Sequence, residues 1–286
     1  MNRSAGVFGL GLVGTALAGR LLRSGRSVAG FDPDPARCKL LEDAAGQASD
    51  PGLVWQQDYV FSCVFDTDQL SDLIAQAPER DGACLISIST CDPMRMSGLG
   101  MAAAQKGWRL IEAPISGTSK QLAMGDAVFL VGGDPADAQA LSVLLGTIGR
   151  SQHYVGPLGN GNRAKLAVNL VLGLNRAALA EGLVFANRVG LAPDAFLELL
   201  QDTAAASAVM KTKGPKMVAQ DFDAQGRIEQ SAKDFGLILT VAAEQRQGLP
   251  FARTYAAMMR DCMDNDEAGL DNAAIIKAIA RAGGVE

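Results

Sequence analysis

Short apolar runs alternate with amphipathic stretches over the first half of the chain. The apolar runs end at turn or capping residues and predict strands at residues 6–8, 27–31, 59–64, 83–88, 108–111 and 127–133. Between them, stretches such as 13–23 repeat apolar residues at helical spacing. Strands that alternate with helices predict a parallel, doubly wound α/β sheet.

The pattern changes after the glycine-rich segment 156–161, and no further strand is predicted. From Arg163 to about Val189 no proline interrupts an apolar helical pattern, which predicts a helix of roughly 40 Å at 1.5 Å per residue. Three later helix starts and a cap for the last helix are predicted at Pro193, Ser231, Pro250 and Asp271. We therefore predict an α/β domain over residues 1–161 and an all-helical domain over 162–286.

The composition is that of an ordinary globular protein, with 48% hydrophobic and 20% charged residues among 286. The net charge of −5 gives no electrostatic footprint for nucleic acid or anionic lipid. Because no run of about 18 uninterrupted apolar residues is present, no membrane span is predicted.

The cysteines and the single histidine exclude several kinds of site. Five scattered cysteines without a C-x-x-C pair argue against a disulfide framework or a zinc cluster, and we predict no metal. The apolar stretch at residues 1–11 is short and interrupted by glycines, which is not typical of a signal peptide. These features favour a reducing cytoplasm as the location.

A glycine motif follows the first predicted strand. It fits G-x-G-x-x-G and consists of Gly9, Leu10, Gly11, Leu12, Val13 and Gly14. The first glycine allows a tight turn, the second lets the backbone approach a pyrophosphate, and the third packs the helix against the strand. Since a strand precedes the motif and a helix follows it, we predict dinucleotide binding; the alternative is a tight turn alone.

Phe31 and Asp32 end the second predicted strand, and Asp32 lies 18 residues after Gly14. A carboxylate at this position accepts hydrogen bonds from a ribose 2′-hydroxyl and repels a 2′-phosphate, which favours NAD over NADP. Two alternatives stay open. Asp32 could simply cap a turn with Pro33, and Arg37 could serve a phosphate.

The hydroxyl proton of a dehydrogenase substrate also needs an acid or base. No tyrosine is followed four positions later by a lysine, and His153 lies in a hydrophilic stretch. Lys165 stands near the start of the long helix, where the helix dipole and partial burial disfavour the ammonium form. Asn169 is four residues on, hence on the same helical face. The alternative is a solvated lysine at a helix end.

Together these motifs resemble the 3-hydroxy-acid dehydrogenase family, which includes 3-hydroxyisobutyrate dehydrogenase and tartronate-semialdehyde and glyoxylate reductases. E-A-P-I-S-G-T at 112–118 is similar to the family's substrate motif, and 159–169 matches G-x-G-x-x-x-K-x-x-x-N. S-T at 89–90 and K-D at 233–234 match two further motifs. The resemblance covers essentially the whole chain. It implies an N-terminal Rossmann domain, an all-helical substrate and oligomerisation domain, a cleft site between them, and a homodimer or homotetramer.

The resemblance also implies roles for individual residues. Lys165 would be the general acid/base in hydride transfer between NAD and a small, carboxylate-bearing 3-hydroxy acid. The residues implied for the substrate are Ser116, Gly117, Thr118, Asn169 and Asp234. Those implied for the nicotinamide end of the cofactor are Val64, Phe65, Thr90 and Lys233. Asp234 has a competing interpretation, because Ser231-x-x-Asp234 also fits a helix capping box.

Four positions depart from the family pattern and leave the substrate open: Ser87, Thr118, Leu170 and Gly226. Two other functions are considered. Imine reductases resemble this family but typically replace the lysine by aspartate or tyrosine, so Lys165 argues against them. A non-catalytic NAD-binding sensor would need the segment 9–14 but has no use for Lys165 together with Ser116.

Overall fold

The computed structural model describes residues 4–282. They form two compact units that divide after Lys165, which we call the α/β unit and the helical unit. The strands of the α/β unit are β1 Ala5–Phe8, β2 Val28–Phe31, β3 Gln47–Ala48, β4 Tyr59–Ser62, β5 Ala83–Ser87, β6 Trp108–Glu112, β7 Ile115–Ser116, β8 Val128–Gly132 and β9 Ser151–Gly156. Its helices are α1 Leu12–Arg23, α2 Pro35–Asp43, α3 Pro51–Trp55, α4 Thr67–Gln76, α5 Met96–Ala104, α6 Ser119–Met124 and α7 Pro135–Ile148.

The strands form one sheet in the order β3-β2-β1-β4-β5-β6-β8-β7, with β9 paired to β8. All pairs from β3 to β6 are parallel, so the predicted doubly wound α/β class is confirmed. The direction of two strands departs from the prediction, because β8 runs antiparallel to β6 and β7 and β9 is parallel to β8. Helix α6, which precedes β8, has six residues and a length of about 9 Å, too short to return the chain to the opposite edge of the sheet.

Apolar residues cover both faces of this sheet. Val7, Phe61 and Ile86 lie in one buried cluster, and their strand neighbours Val60 and Leu85 lie in another. Burial on both faces is typical of parallel strands and produces continuous apolar runs in the sequence. This is why the central strands could be located from the sequence.

One long helix, α8 Asn160–Arg188, begins in the α/β unit and continues into the helical unit. The boundary between the two units falls after Lys165 on this helix, and the predicted domain boundary lies between residues 161 and 162. The other helices of the helical unit are α9 Pro193–Gln201, α10 Ala208–Ala219, α11 Ile228–Glu244, α12 Pro250–Asp264, a short 3₁₀ helix Asn272–Ala274 and α13 Ile275–Ala282.

By length and composition alone, α8 could cross a membrane, and 28% of its most apolar window is buried. A core helix of a globular domain passes the same test. Leu166, Leu179 and Leu183 of α8 are buried in the apolar core of the helical unit, as expected for such a core helix. That no membrane is involved stays a prediction.

Helix α11 begins three residues before the predicted start at Ser231. Its first turn is held by distant backbone groups, because the N–H groups of Ile228 and Glu229 donate to the carbonyls of Leu270 and Ala268. The residue that precedes the helix is Arg227. Ser231 therefore lies inside the helix, and the capping-box interpretation of Asp234 is wrong.

A buried ion pair joins α10 to the segment before the 3₁₀ helix. The Lys213 ammonium lies 2.7 and 2.9 Å from the two carboxylate oxygens of Asp271, and neither side chain is accessible beyond 4%. Burial lowers the pKa of Lys213 to about 8. Asp271 also accepts hydrogen bonds from the N–H groups of Gln225 and Ala273, so its predicted capping role is confirmed.

All five cysteines are free thiols. Burial raises the pKa of Cys63, Cys84 and Cys262 to about 12 in each case. These sulfurs are therefore protonated at neutral pH.

Candidate active site

The three motif glycines have different surroundings. A Cβ atom on Gly9 would lie 2.6 Å from the Cys63 carbonyl oxygen, and one on Gly14 would lie 1.8 Å from the Gly9 carbonyl oxygen. Gly9 also has a φ of 85°, which favours glycine. A Cβ atom on Gly11 would meet no atom within 4 Å. The first and third glycines are thus required by backbone packing, whereas the second leaves a cradle at the N-terminus of α1 that fits a pyrophosphate.

Asp32 lies beside this loop at the end of β2 and is nearly inaccessible. Its carboxylate accepts hydrogen bonds from the N–H groups of Leu10 and Asp34, at 2.7 and 2.9 Å. The Arg37 guanidinium lies 3.3 Å from the same carboxylate. Asp32 therefore binds the backbone of the glycine loop and also caps the turn that follows β2. The alternative that Asp32 caps a turn thus describes part of its role. A ribose contact by Asp32 and the adjacent Phe31 stays a prediction.

The loops that follow β4 and β5 meet at the carboxyl edge of the sheet. The Ser89 hydroxyl donates to the Val64 carbonyl at 2.7 Å, which joins the two loops. Thr90 is buried, whereas Phe65 is 42% exposed. The structure thus brings Val64, Phe65 and Thr90, predicted to border the nicotinamide, into neighbouring loops.

Ser116 ends β7 and Gly117 follows it with a φ of 141°, a conformation that favours glycine. Thr118 precedes helix α6 and is its N-terminal capping residue. Its hydroxyl accepts from the Gln121 N–H at 3.1 Å, and its own N–H donates to the Gln121 side chain at 2.9 Å. This capping box occupies the Thr118 N–H and one acceptor position of its hydroxyl, whose O–H can still donate. The structure thus gives Thr118 a role in the fold, and its substrate contact stays a prediction.

Lys165 and Asn169 lie one turn apart on α8, and both are half-buried. The Asn169 amide donates to the Asp234 carboxylate at 2.7 Å. The Lys233 ammonium lies 3.1 Å from the other oxygen of Asp234. The structure therefore brings Asn169, Lys233 and Asp234 together, although the sequence assigned Lys233 to the cofactor and the other two to the substrate.

Two buried residues were not predicted as part of the site. The Glu112 carboxylate, at the end of β6, accepts from the N–H and side-chain amide of Asn162, at 3.0 and 2.5 Å. It also accepts from the Gly159 N–H. The Asn162 side-chain oxygen accepts from the Cys91 N–H at 2.7 Å. Glu112 opens the E-A-P-I-S-G-T run, but a contact with a residue 50 positions away leaves no local signal in the sequence.

The remaining candidates are placed as follows. Ser87 is fully buried at the end of β5. A Cβ atom on Gly226 would lie 3.4 Å from the Asn272 amide nitrogen. His153 is exposed on β9. Within residues 4–282, no group of three or more histidine, cysteine, aspartate or glutamate residues has the arrangement of a metal site.

Two family models match adjacent parts of the chain. Residues 4–156 match the NAD-binding domain of 6-phosphogluconate dehydrogenase, and residues 159–279 match the model described as NAD-binding of NADP-dependent 3-hydroxyisobutyrate dehydrogenase. Together with the glycine loop and the strand order of the sheet, these matches define the class of the protein as a nicotinamide-dinucleotide-dependent oxidoreductase.

Relatives in sequence and structure agree with this class. Glyoxylate/succinic semialdehyde reductase 1 of Arabidopsis thaliana is 28% identical over 96% of this chain and 97% of that protein. L-threonate dehydrogenase of Cupriavidus necator is 28% identical over 97% and 96%. The solved structure of 3-hydroxyisobutyrate dehydrogenase from Salmonella typhimurium has the same fold, with a TM-score of 0.88 and 23% identity over 96% of this chain and 99% of that one. The chain belongs to the 3-hydroxyisobutyrate dehydrogenase-like family of hydroxy-acid dehydrogenases and reductases.

Proposed function

We propose that this protein transfers a hydride between NAD and a small 3-hydroxy acid, or the corresponding semialdehyde or keto form, with Lys165 as the general acid/base. The observation that carries the proposal is a buried network at the start of α8. Asn162, one turn before Lys165, bonds to the residue after Thr90 and to Glu112, four residues before Ser116. The start of α8, the loop that carries Thr90 and the E-A-P-I-S-G-T segment are therefore joined by hydrogen bonds.

The chemistry follows from these residues. Bound nicotinamide accepts or supplies the hydride. In oxidation, the neutral Lys165 amine takes the hydroxyl proton; in reduction, its ammonium form returns a proton to the oxygen. Without this transfer, reduction would leave an alkoxide, which is costly near neutral pH. The N-terminal position on α8 disfavours the ammonium form and so favours an amine that both accepts and donates a proton.

The substrate class follows from the Ser116–Gly117 turn. A hydroxyl and a backbone N–H on adjacent residues can both donate to one carboxylate. The names of the two sequence relatives, glyoxylate/succinic semialdehyde reductase 1 and L-threonate dehydrogenase, denote compounds that carry a carboxylate. Asn169, one turn from Lys165, is proposed to orient the substrate.

Ser116→Ala should weaken substrate use by about 1.5–3 kcal/mol in kcat/KM, because a buried carboxylate oxygen loses one charge-assisted hydrogen bond. Steady-state kinetics with a panel of 3-hydroxy acids measures this loss. NADH affinity, from fluorescence titration, should stay unchanged. Ser142→Ala on α7 is the matched control and should leave both quantities unchanged. Turnover of neutral alcohols as fast as acids would contradict the carboxylate assignment.

NAD should give a higher kcat/KM than NADP, because the Asp32 carboxylate at the end of β2 repels a 2′-phosphate. The family model that matches residues 159–279 is described for NADP-dependent enzymes, so the cofactor preference of this protein needs a direct comparison of NAD and NADP. Steady-state kinetics of the wild type and of Arg37→Ala with both cofactors distinguishes the effect of Asp32 from that of Arg37. Equal or better efficiency with NADP, lost in Arg37→Ala, would show that the arginine binds the phosphate.

The alternatives predict different results in the same assays. An imine reductase would turn over cyclic imines faster than hydroxy acids, and a sensor would bind NADH without turnover of either. The presence of Lys165 on α8, one turn after Asn162 of the Glu112–Asn162 network, favours the dehydrogenase. A location in a reducing cytoplasm is also proposed, supported by the five free thiols. The exposed apolar side chains Val171, Phe185 and Val189 on and after α8 support a homodimer or homotetramer.

A further inference from the structure

Glu112 is a fully buried carboxylate whose partners all come from the start of α8. Its two oxygens accept hydrogen bonds from the N–H groups of Gly159 and Asn162 and from the Asn162 amide. Burial raises the pKa of Glu112, and these donors, with the Gly161 N–H, act in the opposite direction. Because each of these partners is a donor, none of them can accept a hydrogen bond from a protonated Glu112 carboxyl. The first N–H groups of a helix have no partner within it, and Glu112 supplies one.

The Asn162 side chain has only one orientation that satisfies its neighbours. The Cys91 N–H is a donor and must face the amide oxygen. The amide nitrogen then faces Glu112, which accepts from it at 2.5 Å. Asn162 is fully buried, so an inverted amide would place two donors opposite each other without water to separate them.

The backbone is closely packed around this pair. A Cβ atom on Gly161 would lie 2.7 Å from the Glu112 Cβ, and one on Gly132 of β8 would lie 2.6 Å from the Gly161 nitrogen. Neither glycine has room for a side chain. The first turn of α8 is therefore fixed against the ends of β6 and β8 both by hydrogen bonds and by contact.

We infer that Glu112 and Asn162 are positioning residues that hold Lys165 in register with the Thr90 and Ser116 loops. Lys165 lies three residues after Asn162, on the same face of a continuous helix. A displacement of the first turn therefore moves the lysine amine by a similar amount. The inference rests on the proposed role of Lys165, and it adds two fully buried residues that would act through that lysine.

Two isosteric changes test this pair. Glu112→Gln places an amide nitrogen against either the Gly159 or the Asn162 donors. Asn162→Asp places a second carboxylate against Glu112. Combining the two changes reverses the pair: position 112 then carries a donor and position 162 a carboxylate, which can still accept from the Cys91 N–H. Arg163→Ala, an exposed change next to Asn162, is the matched control.

The readouts are kcat, the KM for NAD and the hydroxy acid, and the thermal unfolding temperature. Activity is measured well below the lowest of these temperatures, so that a loss of folded protein does not contribute. A misplacement near 1 Å can cost roughly 100-fold in rate. We therefore expect kcat to fall about 10-fold or more in Glu112→Gln and about 100-fold in Asn162→Asp, with the KM for NAD unchanged. The double variant should recover about 10-fold over Asn162→Asp.

Each other outcome identifies a specific failure. If both single variants lower the unfolding temperature but keep the kcat of Arg163→Ala, the pair is only structural and the inference is overturned. If the double variant regains thermal stability without regaining kcat, the positioning role is likewise overturned. Lys165→Ala is assayed in parallel. If that variant keeps its activity, the proposed function itself fails, which distinguishes the two results.

Discussion

Lys165→Ala is expected to lower kcat about 10²–10⁴-fold, the usual contribution of positioned general acid–base catalysis. The loss should appear in both directions, because one amine accepts the proton in oxidation and donates it in reduction. NADH affinity should survive, since the glycine loop at residues 9–14 is distant in sequence from α8 and does not depend on the lysine. The measurement is kcat across pH, with an NADH titration of each variant.

Two further variants make the result specific. Lys165→Arg should restore little activity, because a guanidinium stays protonated and cannot act as the base. Lys120→Ala removes an exposed lysine of the α/β unit and should keep the wild-type rate. A Lys165→Ala enzyme that retains more than about a tenth of wild-type kcat would refute the assignment.

Lys213→Met should lower the free energy of unfolding by about 3–5 kcal/mol, because it leaves the Asp271 carboxylate buried without its cation. The hydrogen bonds that Asp271 accepts from two backbone N–H groups offset only part of that charge. Urea denaturation followed by far-UV circular dichroism measures the loss.

Adding Asp271→Asn to Lys213→Met should make the protein more stable than the single variant. The buried charge disappears, while an amide oxygen can still accept one of the two N–H groups. Lys39→Ala is the matched control, because the Lys39–Asp43 pair has a similar length of 2.8 Å but is exposed; it should leave the free energy of unfolding almost unchanged. A double variant less stable than Lys213→Met would show that the pair contributes through packing instead of charge.

The parts of the fold that the sequence predicts are those with a local signal. The central strands have continuous apolar runs, and Pro193 and Pro250 begin helices as predicted. Strand β9 was missed because its residues are polar and half-buried or exposed, so it lacks that run. Helix α10 was missed because Gly214 and Pro215, which normally end a helix, lie inside it.

The same distinction holds for the site. The glycine loop and the lysine helix could be located because their spacing is a property of adjacent residues. The contacts between Glu112 and Asn162 and between Asn169 and Asp234 join residues 50 and 65 positions apart, and no spacing rule predicts such pairs. Thr118 shows that a motif position can also have a structural role that the motif does not reveal, because this residue caps α6.

The high thiol pKa values bear on how the cysteines would meet the carbonyl compounds of the proposed reaction. Semialdehydes are electrophiles, and the thiolate is the form of cysteine that attacks them. With their pKa raised to about 12, the thiols of Cys63, Cys84 and Cys262 are almost entirely protonated at pH 7. Adduct formation at these sulfurs is correspondingly slow. The raised pKa of these three thiols would therefore give the protein chemical durability toward the carbonyl compounds of the proposed reaction.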